Sequence, residues 1–502
     1  MTLSQVRRII SVTAPRQPRN ASLNFSGVSI IWKKGNWRIP YQLPEKFIMS
    51  AETEHELGRI SANAAQNSVV DPEEAGSTTS AHEFSLPPVD GGKDAWLMLV
   101  SAFFIESFVW GFPYAFGILQ DYYSTHEPFA SDSSHSAIIG TVALGVMYLG
   151  SPFGLSFLQR WPIYRRPCSI AGLFISSGAL AVSSLATHVW QLILIQGVLW
   201  AIGASLLYHP IVLYIDEWFV RRKGLAYGIM WAGAAISGIV TPYIYTWLLS
   251  RYSFATAMRA WSLATFLIPA LSLHHARPRI PVAAAARTRD GQAPRRTPSL
   301  RFVLTRRFLV YQLGNVLHGL GYFLPSIYLP SYARALGLRA AAATTPLALV
   351  NLGGFVGSIA AGALCDALDA SLVVACLSAG ASAATFLLWG LSGRVAVGLV
   401  YAFALAYGLC AGSFASTWPG VIKDVARGGE VVLETGPAFG FLAAGRGVGS
   451  IASGPLSEAL LRVGGEDAAF GYGSRYGGLI VFTGVAMLFG GTGFGAKKLG
   501  LM

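Results

Sequence analysis

The sequence contains a series of long stretches that are almost free of charge, and this feature limits the fold more than any other. Each stretch is about as long as the ~20 apolar residues that a helix needs to cross a hydrocarbon core of ~30 Å. The stretches are too long and too rich in Gly, Ala and Leu for barrel strands of alternating polarity, so helices remain as the way to satisfy the backbone in lipid. The sequence therefore predicts an all-α membrane protein with twelve transmembrane helices, at 95–119, 136–157, 168–187, 189–214, 224–249, 254–273, 308–330, 343–365, 371–391, 395–418, 436–459 and 476–495.

The composition agrees with a lipid environment and argues against several other classes of protein. Hydrophobic residues make up 53% of the 502 residues and charged residues 12%, and the net charge is +12. The basic residues lie in short clusters between apolar stretches, which indicates loops at a membrane face rather than a surface for nucleic acid. The four cysteines all lie in apolar segments without metal-ligand spacing, and no enzyme motif is present, so no catalytic residue, metal or cofactor is expected.

The distribution of lysine and arginine between alternate loops predicts the topology. One set of loops carries nineteen of these residues, including Arg160, Arg221 and Lys497, whereas the other set carries six, including Arg251 and Arg394. Because loops rich in Lys and Arg stay in the cytoplasm, both termini are predicted to be cytoplasmic.

A basic, proline-rich segment at 274–307 interrupts the hydrophobic pattern in its middle and predicts a cytoplasmic linker. The predicted domains are a disordered cytoplasmic tail at 1–90, an N-terminal six-helix half at 91–273, this linker, and a C-terminal six-helix half at 308–502. Met49 begins the acidic part of the tail, so residues 1–48 are also open to interpretation as a misassigned gene start. Two six-helix halves are typical of transporters whose halves rock about a site near the midplane.

The most specific motif joins the fourth and fifth predicted helices at 214–238. Arg221 and Arg222 lie in a basic turn there, and Gly228 belongs to a stripe of small residues that allows close helix packing. The segment resembles the second signature of the monocarboxylate-transporter family within the major facilitator superfamily, and the fungal branch is the most similar. This resemblance implies the major facilitator fold of twelve helices in two six-helix halves. The matching residues are Trp218, Phe219, Arg221, Arg222, Leu225, Ala226, Gly228, Ala232 and Gly233.

Two further segments resemble superfamily motifs associated with conformational change. Asp90, Gly91 and Gly92 resemble the acidic first signature of the same family, just before the first predicted helix. Gly362 and Asp366 have the spacing of the superfamily's loop motif in the second half. The resemblance implies that these residues, with Arg221, Arg222 and Gly228, take part in gating.

The substrate does not follow from this resemblance, because charges that the family uses for protons and lactate are missing. Tyr114 stands where the family has a lysine in the first helix, and Asn351 and Phe355 stand at the Asp and Arg of the eighth. Proton–lactate symport by that mechanism is therefore not implied.

Glu106 and Arg446 are the charged residues that remain deep in the predicted helices. Such charges are costly in a bilayer and usually face a cavity or a partner. Glu106 is interpreted either as a proton or cation site or as a structural hydrogen-bond partner. Arg446 is interpreted either as a ligand for a substrate carboxylate or as an arginine bonded to carbonyl groups between the halves.

By analogy with the superfamily, helices 1, 4, 7 and 10 line the cavity. The substrate- or proton-binding candidates are accordingly Glu106, Tyr114, His209, Asn315, His318, Tyr322, Trp418 and Arg446.

The leading functional hypothesis is a secondary active or facilitative transporter that moves a small organic solute, for which a carboxylate and proton coupling are considered, by alternating access. The alternatives are an exporter of a metabolite and a non-transporting nutrient sensor. The expected partners are this solute, H⁺ and the lipid bilayer, with no nucleic acid and with the oligomeric state open. The plasma membrane is the first choice of location, ahead of a vacuolar or other organelle membrane.

Overall fold

A computed structural model describes residues 21–25, 28–33, 36–38, 86–280, 300–393, 396–428, 433–463 and 471–502. From residue 86 onward the described chain is almost entirely helical, which confirms the predicted all-α membrane fold. The helices are α1 Lys93–Thr125, α2 Ser136–Arg160, α3 Arg165–Ser183, α4 Val189–Trp218, α5 Lys223–Arg251, α6 Phe254–His275, α7 Arg306–Ala335, α8 Ala340–Ala367, α9 Ala370–Trp389, α10 Gly398–Arg427, α11 Thr435–Val463, α12 Gly477–Phe489 and α13 Thr492–Lys498.

Eight of these helices are long and apolar enough to cross a membrane, and a ninth span results if the bent pair α12 and α13 counts as one. Among the helices below that limit, α7 carries Gln312, Asn315 and His318 in its first half, and α11 combines many glycines with Arg446. Polar residues lower the mean hydropathy of helices that are shielded from lipid by their neighbours. The count of twelve spans and the cytoplasmic termini stay predictions.

The predicted tail contains three short strands, β1 Ala21–Phe25, β2 Val28–Lys33 and β3 Asn36–Arg38. They form an antiparallel sheet in which Phe25 pairs with Val28 and Lys33 with Asn36. In the sequence, two residues separate each strand from the next, and the second of them is glycine, which two-residue hairpin turns favour. These strands differ from the disorder that was predicted for the tail. The other residues of 1–85 and the linker residues 281–299 lie outside the described residues. The domain division stays a prediction.

The close approach of α5 to α8 joins the two predicted halves. A Cβ atom added to Gly362 of α8 would collide with the carbonyl oxygen of Gly224 in α5, and one added to Gly228 would collide with the Ser358 carbonyl oxygen. Only glycine permits this backbone contact. Helices α2 and α11 meet similarly, where Gly440 faces Pro152. All four glycines lie toward the helix ends that are predicted to be cytoplasmic.

Irregular turns interrupt three of the helices. Helix α4 has a π-helical turn at Ile193–Leu199, α9 has one at Ala384–Trp389, and α10 has one at Gly408–Gly412 followed by a 3₁₀ turn at Phe414–Thr417. Such turns often lie at functional sites. In α10 they occupy the middle of the helix and end directly before Trp418.

Candidate functional site: a cavity between the two halves

A narrow cavity of about 30 Å³ lies where residues of both predicted halves meet. In this arrangement it has room for about two water molecules. Aromatic rings and a few polar groups line it, the principal ones being Tyr114, Tyr148, Trp231, Tyr322, Asn351 and Arg446.

Arg446 is the charged residue of this lining. It is 3% exposed, and its guanidinium carbon lies 4.1 Å from the centre of the Tyr322 ring. Its Nη1 atom is buried and has no hydrogen-bond partner among the described residues. The stacked ring holds the guanidinium in place while leaving donors for a ligand. This geometry fits the first interpretation from the sequence better than an arginine bonded to carbonyl groups.

Glu106 is buried in α1 at 1% exposure. The Trp110 indole N–H interacts with its carboxylate, although neither carboxylate oxygen makes a hydrogen bond of regular geometry within the described chain. Glu106 interacts electrostatically with Tyr148 and Tyr208, and Tyr148 also interacts with Arg446. Tyr148 is therefore near both buried charges, which come from different predicted halves. A buried carboxylate with one weak donor is costly, so this arrangement favours a group that exchanges a proton over a structural hydrogen-bond partner.

The remaining candidates differ in what they contact. Tyr114 and Tyr322 line the cavity, whereas His318 is stacked on Phe414 with ring centres 3.9 Å apart. Both ring nitrogens of His318 are buried without a partner among the residues described. Asn315 donates a hydrogen bond from Nδ2 to the Leu442 carbonyl oxygen at 2.6 Å and so ties α7 to α11.

His209 lies against α2 instead of in the cavity lining. Its Nε2 is 3.1 Å from the Ser151 hydroxyl, and its ring fills the space over Gly154. Trp418 lines a smaller neighbouring chamber. Sequence reasoning did not select Tyr148 and Trp231, although an aromatic residue within the small-residue stripe of α5 was an available signal.

Two carboxylates organise the predicted cytoplasmic ends. Asp366 of α8 accepts hydrogen bonds from the Gly224 and Leu225 N–H groups of α5, at 2.7 and 2.8 Å. These are free amides of a helix N-terminus, where negative charge is stabilised. Because α5 and α8 belong to different predicted halves, Asp366 links the halves directly.

Asp90 fixes the turn between α4 and α5. It accepts hydrogen bonds from the N–H groups of Val220, Arg221 and Arg222 at 2.8–2.9 Å, and its own N–H donates to the Trp218 carbonyl oxygen. Gly92, with φ of 87°, then precedes α1, while Gly91 between them has open space around its Cα. The side chains of Arg221 and Arg222 are exposed, so their backbone amides carry the contact.

We expect Asp90→Ala to lower stability by roughly 0.5–2 kcal/mol, the range for loss of a capping side chain, because three exposed amide donors exchange their carboxylate acceptor for water. Burial acts to raise the pKa of Asp90, but the three amide hydrogen bonds outweigh it and lower the pKa below its usual value. This contribution is therefore present above the unfolded-state pKa and is lost as the pH falls through the lower folded-state pKa. Thermal unfolding in detergent checks this, with exposed Asp94→Ala as the control; equal stability of both variants would contradict it.

No group of three or more His, Cys, Asp or Glu side chains that could hold a metal ion is found in the described part of the chain.

Comparisons with known proteins agree with this architecture. The family model for the Major Facilitator Superfamily matches residues 95–453. Similar proteins include the MFS-type transporter pynF of Aspergillus niger, 29% identical over 75% of this chain and 83% of that protein. The fujikurins efflux protein of Gibberella fujikuroi is 26% identical over 83% of this chain and 85% of its own length. Monocarboxylate transporter 13 of Bos taurus is 26% identical over 76% and 86%.

Solved structures show the same fold at low identity. The fucose:proton symporter FucP of E. coli aligns with a TM-score of 0.54 at 13% identity, over 80% of this chain and 99% of that one. The human organic anion transporter MFSD10 aligns with a TM-score of 0.56 at 12% identity, over 80% and 100%. The family match and the relatives confirm the resemblance drawn from the 214–238 motif: the chain belongs to the major facilitator superfamily, in its fungal, monocarboxylate-transporter-like branch.

Proposed function

We propose that this transporter carries a small organic anion across the membrane by alternating access, with Arg446 as the anion-binding residue and Glu106 as the proton-coupling residue. The observation that carries the proposal is the buried guanidinium of Arg446, which lines the cavity between the halves and keeps an unpaired donor. A carboxylate accepts two parallel hydrogen bonds from a guanidinium, so it is the group that best satisfies this site.

Alternating access requires contacts between the halves that can form and break. The Asp366 bonds to α5 and the backbone contact of Gly362 with Gly224 join the halves at the predicted cytoplasmic end. We infer that this arrangement is the one closed to the cytoplasm, and that opening separates α5 from α8. The plasma membrane remains the proposed location.

Transport of labelled organic carboxylates into proteoliposomes tests the function. A panel of alkyl, hydroxy and aromatic acids, measured with and without a pH gradient, should include at least one acid whose saturable flux depends on the protein. Absence of such flux across the whole panel would refute organic-anion transport.

We expect Glu106→Gln to abolish stimulation by a pH gradient while leaving exchange of labelled for unlabelled acid intact. A gradient of one pH unit supports up to about tenfold accumulation when one proton moves with each anion. The amide keeps the shape of the side chain but cannot release a proton. Gradient-driven accumulation that persists in Glu106→Gln would assign the coupling proton to another group.

Export of a metabolite is the second candidate, because a relative at 26% identity is named as an efflux protein. The sign of the gradient effect separates the two directions. Uptake that increases when protons flow with the acid indicates symport, whereas uptake that increases when protons flow the opposite way indicates antiport and therefore export in the cell.

A further inference from the structure

A smaller chamber of about 10 Å³ adjoins the main cavity and shares Tyr148 and Trp231 with it. It has room for about one water molecule or one oxygen atom of a ligand. Its other principal lining residues are Trp110, Ser205, Tyr208 and Trp418.

The chamber wall contains an unusual number of unused hydrogen-bond donors. The indole nitrogens of Trp231 and Trp418 are buried and have no partner among the described residues, and the Ser205 hydroxyl is in the same condition. The Trp110 indole N–H is different, because it interacts with the Glu106 carboxylate. A buried polar group without a partner is costly, and few occur in a native structure. Three of them around one chamber indicate an occupant that supplies acceptors.

The chemistry of the wall restricts this occupant. An indole N–H donates and cannot accept. The three indoles also pack against one another: the ring centres of Trp110 and Trp231 are 5.8 Å apart, and those of Trp231 and Trp418 are 6.0 Å apart. Their faces are thus partly covered by neighbouring rings, which leaves less room for a cation over a ring. These features favour an oxygen acceptor over an ammonium group.

We propose that the chamber is a subsite for a carbonyl, ether or hydroxyl oxygen of the transported anion. Resting on the proposed function, this inference makes the substrate an oxygen-bearing organic acid whose carboxylate is bound at Arg446 and whose second oxygen lies beside the indoles of Trp231 and Trp418. Tyr148 and Trp231 line both spaces, so the body of the substrate packs against these two rings. A plain hydrocarbon acid leaves the indole donors unpaired and binds more weakly.

A pair of acids of the same shape tests the subsite. 4-Acetylbenzoate carries a carbonyl oxygen where 4-isopropylbenzoate carries a methyl group. Isothermal titration calorimetry of the full chain in nanodiscs should show that the acetyl acid binds about tenfold more tightly, since each neutral hydrogen bond contributes several-fold. Trp231→Phe keeps an aromatic ring but removes the donor. It should reduce this preference to about twofold, because the smaller ring changes the packing of both acids alike whereas the lost donor affects only the acetyl acid.

Control variants and a neutral probe separate the possible outcomes. Trp247, 55% exposed on the same helix, provides the matched control, and Trp247→Phe should keep the full preference. Trp418→Phe should also reduce it. The neutral ketone 4-methylacetophenone has no carboxylate, so it reports on the chamber without an ion pair to Arg446. Its affinity should decrease in Trp231→Phe.

Equal binding of the two acids by the wild type would overturn the subsite while leaving organic-anion binding in place, and would mean that the chamber holds water only. Binding of the ketone with no binding of either acid would overturn the proposed function and keep the subsite. Failure of all three probes would overturn both. Tighter binding of a benzyl-trimethylammonium probe than of the ketone would replace the acceptor subsite by a cation site.

Discussion

Arg446→Gln should weaken the binding of a transported acid by about 10–100-fold. A hydrogen bond to a charged group contributes about 1.5–3 kcal/mol, and the guanidinium is the cationic group in the cavity lining. Glutamine keeps a polar side chain of moderate length but removes the charge and the two-donor fork. The dissociation constant of the best acid in the transport panel, measured in nanodiscs, checks the expectation.

Arg446→Lys provides the matched control for charge. It keeps the positive charge but loses the planar group that stacks on Tyr322. We therefore expect its affinity for the acid to be lower than that of the wild type and higher than that of the glutamine variant. If Arg446→Gln binds the acid as tightly as the wild type, the residue serves only to pack α11 against α7.

Asp366→Asn should raise the population of the arrangement open to the cytoplasm, relative to the closed arrangement, by roughly tenfold. The carboxylate accepts two N–H groups at the start of α5, and capping together with helix-dipole interactions contributes about 1–2 kcal/mol. The asparagine keeps a single acceptor oxygen and no charge. Because the bonds cross between the halves, their loss lowers the stability of the closed arrangement more than that of either half.

Labelling of a buried cysteine measures this shift. Ser358 is 2% exposed beside Gly228, so Ser358→Cys, in a background in which the four native cysteines are replaced, should react with an impermeant maleimide only when α5 and α8 separate. Asp366→Asn should speed this labelling about tenfold. An unchanged rate would show that the Asp366 bonds do not hold the halves together.

Asp369→Asn is the control, because Asp369 lies three residues beyond Asp366 but contacts only its own half. It accepts a hydrogen bond from Lys497 at 2.6 Å, which lowers the pKa of its carboxyl to about 2, and it caps α9 through Ser371. Lys497 also bonds Asp424, which accepts a hydrogen bond from Tyr311. Asp369→Asn should therefore leave the labelling rate unchanged.

The helices could be located from sequence because burial in lipid demands long apolar stretches, but their ends could not. Helix α10 was predicted to end at 418 and continues to Arg427, since Asp424 finds partners in Lys497 and Tyr311 that no local pattern reveals. The strands at 21–38 were missed because the charge balance of the tail outweighed a short run of β-branched and aromatic residues.

The candidate site was predicted in part, for a related reason. Rare charges in apolar helices are conspicuous, so Glu106 and Arg446 could be selected individually. Which face of an almost uniformly apolar helix meets the cavity is decided by tertiary packing, so Tyr148 and Trp231 were not selected, and His209 was selected although it contacts Ser151. Analogy named α1, α7 and α10, which contribute to the cavity lining, but not α2, α5, α8 and α11, which also line it. Helix α4 lines only the smaller chamber.

The contact between Gly224 and Gly362 has a mechanical consequence. The closest approach of the halves at this end is set by backbone atoms, so one added methyl group acts as a wedge. In the proposed alternating-access mechanism, two stiff halves pivot near the middle of the membrane and would transmit such a wedge to the opposite end as a reduced opening. The width of the entrance for the solute would then depend in part on the absence of side chains at two positions far from it.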